Sequence, residues 1–249
     1  MIANPFRNDA SERGAIFATT RWSVVLLAAE GGEDEAGRRS LETLCRGYWY
    51  PIYAYIRRSG HAPHDAQDLT QGFFAFLLEK HLLAKADPTR GRFRSFVLGA
   101  VRNFLGNERQ KQGAAKRGGG VSMISFDVAT AEERLAIEPA TREDPEWIYQ
   151  RAWAVSVIEL ALDRLCEEQS RAGHARLFEK LRPALAGAAS ATAAELAAEL
   201  GSTEGAIRVA LHRLRQRFRE LLRANIADTV HDPGEVEAEL QHLRHVLSG

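Results

Sequence analysis

Apolar side chains at Phe93, Phe96, Val97, Ala100, Val101, Phe104 and Leu105 recur at i, i+3, i+4 and i+7 without a gap. Nowhere does the chain alternate for useful length with the period of two that a half-buried strand needs. A stripe of helical period runs along one face of a helix, and that face needs a partner to bury it. Two further stripes precede this one. Leu41, Leu44, Cys45, Tyr48, Ile52, Tyr55 and Ile56 form the first, closed by Gly60, and Ala66, Leu69, Phe73, Phe76 and Leu77 form the second, after Pro63. Three such faces can cover one another, so residues 35–112 are expected to form a compact helical domain. The extension before them, residues 1–34, contains TTRWSVVLLAA, read as a short helix packed on that domain.

The composition changes after residue 112. Residues 113–144 hold a triple glycine, mixed polar side chains and no sustained period, which predicts a flexible linker. Helical spacing resumes with Ile148, Ala152, Val155, Ile158, Leu162, Leu165 and Cys166, and a shorter segment surrounds Leu177, Phe178 and Leu181. The expected fold is all-α: two small helical domains, 35–112 and 145–226, with a helical tail at 227–249.

The second domain carries a local signature. In TAAELAAELGSTEGAIRVALHRLRQRFRELL, Thr192 and Glu195 have the spacing of a capping box. Ala197 is small where a second helix can pass, Gly201 can take the positive φ of a tight turn, and Ser202 is placed to cap a helix starting near Thr203. Helix, short glycine turn and helix make a helix-turn-helix. On its second helix Ile207, Leu211, Leu214, Phe218 and Leu221 form the docking stripe. Arg208, His212, Arg215 and Arg219 flank it on one side, Arg213 and Arg217 on the other. A guanidinium forks onto a guanine edge or clamps a phosphate. The early turns reach bases, which nominates Arg208, His212 and Arg213 as base readers and Arg215, Arg217 and Arg219 as backbone contacts. The competing reading is a solvated arginine face, or one paired with acids.

A second basic run lies in the first domain. From Arg90 to Arg117 stand Arg90, Arg92, Arg94, Arg102, Arg109, Lys111, Lys116 and Arg117 against the single acid Glu108. Periodicity assigns the interleaved phenylalanines mostly to the core, with Phe93 the least committed. Basic side chains beside Asn103 and Asn107 suit unstacked single-stranded DNA, in which charge tracks phosphates and amides hold splayed bases. The helix start HDAQDLTQ is acidic and amide-rich instead. Its acids complement the helix dipole or form a protein-binding surface.

With 33 basic and 33 acidic residues the chain has no net charge, so each basic patch must be local. No apolar run approaches the roughly 18–20 residues needed to span a bilayer, and the start lacks the apolar core of a signal peptide. A cytoplasmic, soluble protein is expected. Cys45 and Cys166 are far apart and read as small apolar residues. The sequence holds no GxxxxGK[ST], GxSxG, HExxH or metal-type Cys/His spacing. The glycines of KRGGG follow no strand, and His242 with His245 reads as surface. No catalytic activity, metal or cofactor is expected.

These motifs, in this order, resemble the bacterial RNA polymerase sigma factors of the extracytoplasmic-function group. LCRGYWYPIYAYIRRSGHAPHDAQDLTQGFFAFLLEK is similar to the group's first conserved region, with DAQDLTQGFF matching its DAEDLxQExF signature. FRSFVLGAVRNFLGNERQKQ is similar to the promoter-melting helix, and the helix-turn-helix to the group's last region. The resemblance implies that Asp65, Gln67, Asp68 and Gln71 dock on the coiled coil of the polymerase's largest-subunit clamp. It implies that Arg92, Arg94, Ser95, Arg102, Asn103 and Asn107 open and hold the minus-ten element, with Arg109 in the same basic run. Arg208, His212 and Arg213 would then read the minus-thirty-five element. The implied partners are core RNA polymerase and promoter DNA, with an anti-sigma protein as a further candidate.

Two departures stand out. Val209 and Ala210 occupy positions where the group often has Ser and Arg, and Gly72 replaces the usual acid after Gln71. They leave two other readings open: a stand-alone helix-turn-helix regulator, and a decoy that binds an anti-sigma protein.

Overall fold

The computed structural model describes residues 35–87, 91–112, 128–137, 144–185, 191–230, 232 and 234–248. Among the described residues the fold is all-α, as the periodicity predicts, and no strand is present. The described residues form nine α-helices: α1 (Glu35–Arg58), α2 (Pro63–Glu79), α3 (Phe93–Gln112), α4 (Val128–Ile137), α5 (Pro145–Arg171), α6 (Ala175–Leu185), α7 (Ala193–Leu200), α8 (Glu204–Ala227) and α9 (Glu235–Ser248). The segment TTRWSVVLLAA and the glycines of KRGGG lie outside the described residues.

The three stripes of the first half do bury one another. Ile52, Tyr53 and Ile56 of α1, Phe73 of α2 and Val101 of α3 have no exposed surface. Aromatic edges lock the contacts, with Tyr48 meeting Phe93 edge-on at 5.4 Å and Phe73 meeting Phe104 at 5.8 Å. Phe93, the least committed of the phenylalanines, is 2% exposed and belongs to this core. It is therefore no stacking platform for a base. Pro51 lies inside α1, where a ring without an amide proton costs a helix one of its own hydrogen bonds.

Helix α5 changes the expected division of the chain. At 27 residues it is about 40 Å long and serves both halves. Its first part, through Ile148, Tyr149, Ala152, Trp153 and Val157, joins the core of α1–α3, while Ala161 and Leu165 join a second core. That second core holds Phe178 and Leu181 of α6, Leu196 and Ala197 of α7, and Ile207, Leu214 and Leu221 of α8. The border between the two apolar clusters thus falls inside α5, not before it. Gly47 helps α5 lie close to α1, since a Cβ there would meet Leu160 Cδ1 at 3.3 Å.

Two other segments depart from expectation. Part of the predicted linker, 128–137, is helix α4, docked by Ala131 and Leu135 and by a long-range ion pair. Arg57 donates to both carboxylate oxygens of Glu132 at 2.7 and 2.9 Å, and the Tyr53 hydroxyl donates to the same carboxylate at 2.6 Å. The remainder of the predicted linker, 113–127 and 138–143, lies outside the described residues. The tail returns to the first core, in which Val230, Val236, Leu243 and Val246 are all buried.

Candidate nucleic-acid interface

The helix-turn-helix forms as its local chemistry dictates. Thr192 Oγ1 accepts from the Glu195 amide at 3.2 Å, and Glu195 accepts from the Thr192 amide at 2.7 Å, which satisfies two helix-start donors reciprocally. The Thr192 amide and its hydroxyl, both donating to the Glu195 carboxylate, hold that carboxyl below its usual range. Gly201 ends α7 in the left-handed region at φ 60°, where a Cβ would be strained. The cap of α8 is Thr203, whose hydroxyl accepts from the Ala206 amide at 3.2 Å; Ser202 instead donates its amide to the Ala197 carbonyl at 2.9 Å.

Packing then sorts the arginines of α8. Ile207, Ala210 and Leu214 face inward, so Ala210 is a packing residue and not a lost DNA contact. Arg208 is exposed and ion-paired with Glu204 one turn back; His212 is also exposed. Val209 stands between them, 49% exposed, the only large apolar side chain so open among the described residues. A branched apolar group beside a guanidinium is the chemistry that meets a thymine methyl next to a guanine. Arg213 is half-buried.

Farther along, the arginines turn back on the protein. Arg215 donates to the Ala184 carbonyl at 3.1 Å. Arg217 forks onto Glu168 of α5 at 2.7 and 2.8 Å and reaches Glu220 at 2.9 Å. Those bonds raise the Arg217 pKa, with Glu168 the main cause. Arg217 was expected on a DNA backbone; here it fastens α8 to α5.

The basic run on α3 is divided too. Ser95, Asn103, Asn107 and Arg109 are exposed, and Arg102 pairs with Glu146 at the start of α5. Arg92 and Arg94 are drawn elsewhere. Arg94 is 6% exposed, with Nε 3.0 and 3.2 Å from the two oxygens of Glu239. Its guanidinium also donates to Gln150 and lies 5.2 Å from the Trp153 ring. Arg92 Nη1 lies 3.3 Å from Glu239, itself only 1% exposed. The expectation that Arg94 faces DNA fails in this arrangement, because α9 covers it. His242 of α9 joins the cluster 3.3 Å from Gln150, so it is not the bare surface histidine expected. Burial, followed by Arg94 and Arg92, pushes its pKa down to about 4.

Sequence spacing holds a signal for this cluster. Arg94, Leu98, Val101 and Leu105 share one buried face of α3, and Val236, Glu239, Leu243 and Val246 share one buried face of α9. A charge of opposite sign interrupts each apolar stripe, and the two meet.

At the start of α2, Asp65 and Asp68 are exposed, and Gln67 and Gln71 are half-buried. Asp68 lies 3.3 Å from His64. Gly72 faces inward, where a Cβ would sit 3.4 Å from Phe104, so a carboxylate there would have to bend away from the core to reach a partner.

An open cleft of about 290 Å³ lies between α1, α4 and α5, yet Arg134 on its wall already binds Glu159 at 3.1 Å and stacks on Tyr50. Among the described residues no group of His, Cys, Asp and Glu could hold a metal ion. Both cysteines are free, and among the described residues no helix is long and apolar enough to cross a membrane. The chain matches no family model, no curated protein and no solved structure, so its residues and their geometry alone carry a functional reading.

Proposed function

We propose that this protein is a promoter-specificity subunit of the sigma type, which binds core RNA polymerase through the start of α2 and reads duplex DNA through the start of α8. The carrying observation is the exposed edge Arg208–Val209–His212, held out by a capped helix-turn-helix whose opposite face packs Ile207, Ala210, Leu214 and Leu221. On the other core, α3 presents the Ser95 hydroxyl, the Asn103 and Asn107 amides and the Arg109 guanidinium, the chemistry that suits an unpaired strand. Asp65 and Asp68 offer an acidic edge for a basic partner surface. The protein acts by positioning in the cytoplasm, with no covalent chemistry and no cofactor of its own.

The deciding experiment is binding of the purified chain to core RNA polymerase, alone and as Asp65→Ala/Asp68→Ala. Submicromolar binding that the double variant loses is the expected result. Tight duplex binding as a dimer, without affinity for polymerase, would replace this reading with a stand-alone helix-turn-helix regulator. Binding to an anti-sigma protein without transcription would make the chain a decoy.

A further inference from the structure

We propose that helix α9 is an intramolecular cover that holds Glu239 in the place of a DNA phosphate, and that the chain engages an unpaired strand only when α9 lifts. The proposal rests on the sigma-type reading of α3 as the strand-holding helix.

A carboxylate and a phosphodiester present the same thing to a guanidinium: oxygens sharing negative charge in a planar fork's reach. Glu239 accepts from Arg94 Nε through both of its oxygens and lies within 3.3 Å of Arg92. The two guanidiniums are therefore already arranged around an anion. That anion belongs to the chain itself, 145 residues away in sequence from Arg94. While it stays, a strand running along the exposed side chains of α3 finds its two strongest phosphate ligands occupied.

The cover is built to come off. Its buried face is aliphatic apart from Glu239: Val236, Leu243 and Val246, with Leu240 and Leu247 partly buried at its edges and the His242 ring beside Trp153. The helices beneath carry Tyr48, Phe93, Tyr149 and Trp153; Tyr48 and Phe93 meet edge to face without α9, while Trp153 also meets its His242 at 6.2 Å. A buried ion pair adds little net stability over its desolvated parts, so it specifies where α9 sits more than how tightly. On its outer side α9 is fastened by an exposed ion pair, Arg223 of α8 to Glu237 at 3.0 Å. The turn before it is short and polar, with Asp232 accepting from the Gly234 amide at 2.8 Å. A strand phosphate supplies Arg92 and Arg94 with the charge that Glu239 gives up, so lifting α9 leaves neither guanidinium unpaired.

The test uses the full chain and a fluorescein-labelled oligothymidylate, read by anisotropy. Glu239→Gln keeps the shape and removes the charge, and it is expected to tighten oligothymidylate binding about tenfold, the gain when a cover closed nine-tenths of the time opens. Adding Arg94→Gln to that variant is expected to remove the gain. A folded Glu239→Gln chain that binds no better than the unaltered protein overturns the proposal, as does a gain that survives Arg94→Gln. Should Glu239→Gln fail to fold, Arg223→Glu sets two acids against each other at the exposed fastening; a gain of about two- to threefold is then expected, and none would be fatal. These readouts need no polymerase. Loss of polymerase binding therefore sinks the functional reading, while an unresponsive cover sinks this inference alone.

Discussion

Helices α3 and α8 are both rich in arginine, and the fold treats them in opposite ways. On α8 the packed stripe leaves Arg208 and His212 in solvent at the helix start, while Arg215 and Arg217 farther along are tied to α6 and α5. On α3 it is the start that is covered, with Arg94 buried against Glu239, while the later turns stay open. The period of a stripe decides which side of a helix faces its own domain. It does not say whether another part of the chain will return to lie on the opposite side. The start of α8 stays clear of such a cover, and its late turn meets the last helix through Arg223; for α3 the last helix lies over the start.

Truncating one arginine from each helix should break this comparison most sharply. Arg94→Ala leaves Glu239 buried with only Arg92 for company, and losing one partner of a buried ion pair typically costs about 3–5 kcal/mol. A cover that is open one-tenth of the time lifts once its anchor is gone, which caps the expected loss at about 1.4 kcal/mol, read as a lower urea midpoint with unchanged slope. A loss below about 0.5 kcal/mol would mean that α9 is not seated on Arg94 in solution.

Arg208→Ala should do the reverse. Its ion pair with Glu204 is exposed, so stability should stay within about 0.5 kcal/mol. Sequence discrimination at one promoter position should fall by about 1–3 kcal/mol, measured by competition among duplexes varied base by base. An unchanged preference removes Arg208 from the reading edge.

Much of α8's side of this contrast was legible in the sequence because it is local. Thr192 and Glu195 are three residues apart, Gly201 follows at the end of one helix, and the stripe from Ile207 to Leu221 needs no knowledge of the rest of the chain. The first three helices were legible for the same reason. What escaped depends on residues far apart. Helix α4 has two well-buried apolar anchors, Ala131 and Leu135, and owes its place to Glu132, which meets Arg57 across 75 residues. Arg94 and Glu239 each sit in an apolar stripe, but a lone charge in a stripe names no partner. The double duty of α5 was hidden because one continuous helical period fits one core or two equally well.

Arg217 offers a smaller test of the same distinction. It looks like a phosphate ligand in sequence, and it forks onto Glu168 in the fold. Both side chains are about one-third exposed, so Arg217→Ala should cost about 1 kcal/mol of stability through the loosened contact between α8 and α5. The salt dependence of duplex binding should not change, whereas a true phosphate contact would lower the slope by about one. A lowered slope would show that Arg217 leaves Glu168 when DNA arrives.

The smallest expected effect concerns pH, and it tests whether α9 is seated through its histidine. His242 faces Gln150 and Trp153 of α5, Arg92 and Arg94 beside α3, and His245 of its own helix, while Glu239 points to the arginines. None of these neighbours stabilises an imidazolium there. Unfolded, the ring titrates near 6.5; folded, near 4. Between those values the unfolded chain holds more protons, so this contribution is complete above pH 6.5 and is lost as pH falls toward 4. Asp228 works the other way, because burial raises its carboxyl to about 6 and acidification then favours the folded form. Comparing the whole chain at two pH values would mix the two. The difference between the unaltered protein and His242→Gln cancels Asp228, and that difference is the quantity to measure by urea unfolding at pH 7 and pH 5. The ring is partly exposed and screened, so the unaltered protein should lose under about 1 kcal/mol more than His242→Gln on acidification. Equal losses would mean that the imidazole is not held among the arginines, and α9 would then rest on Glu239 and its aliphatic side chains.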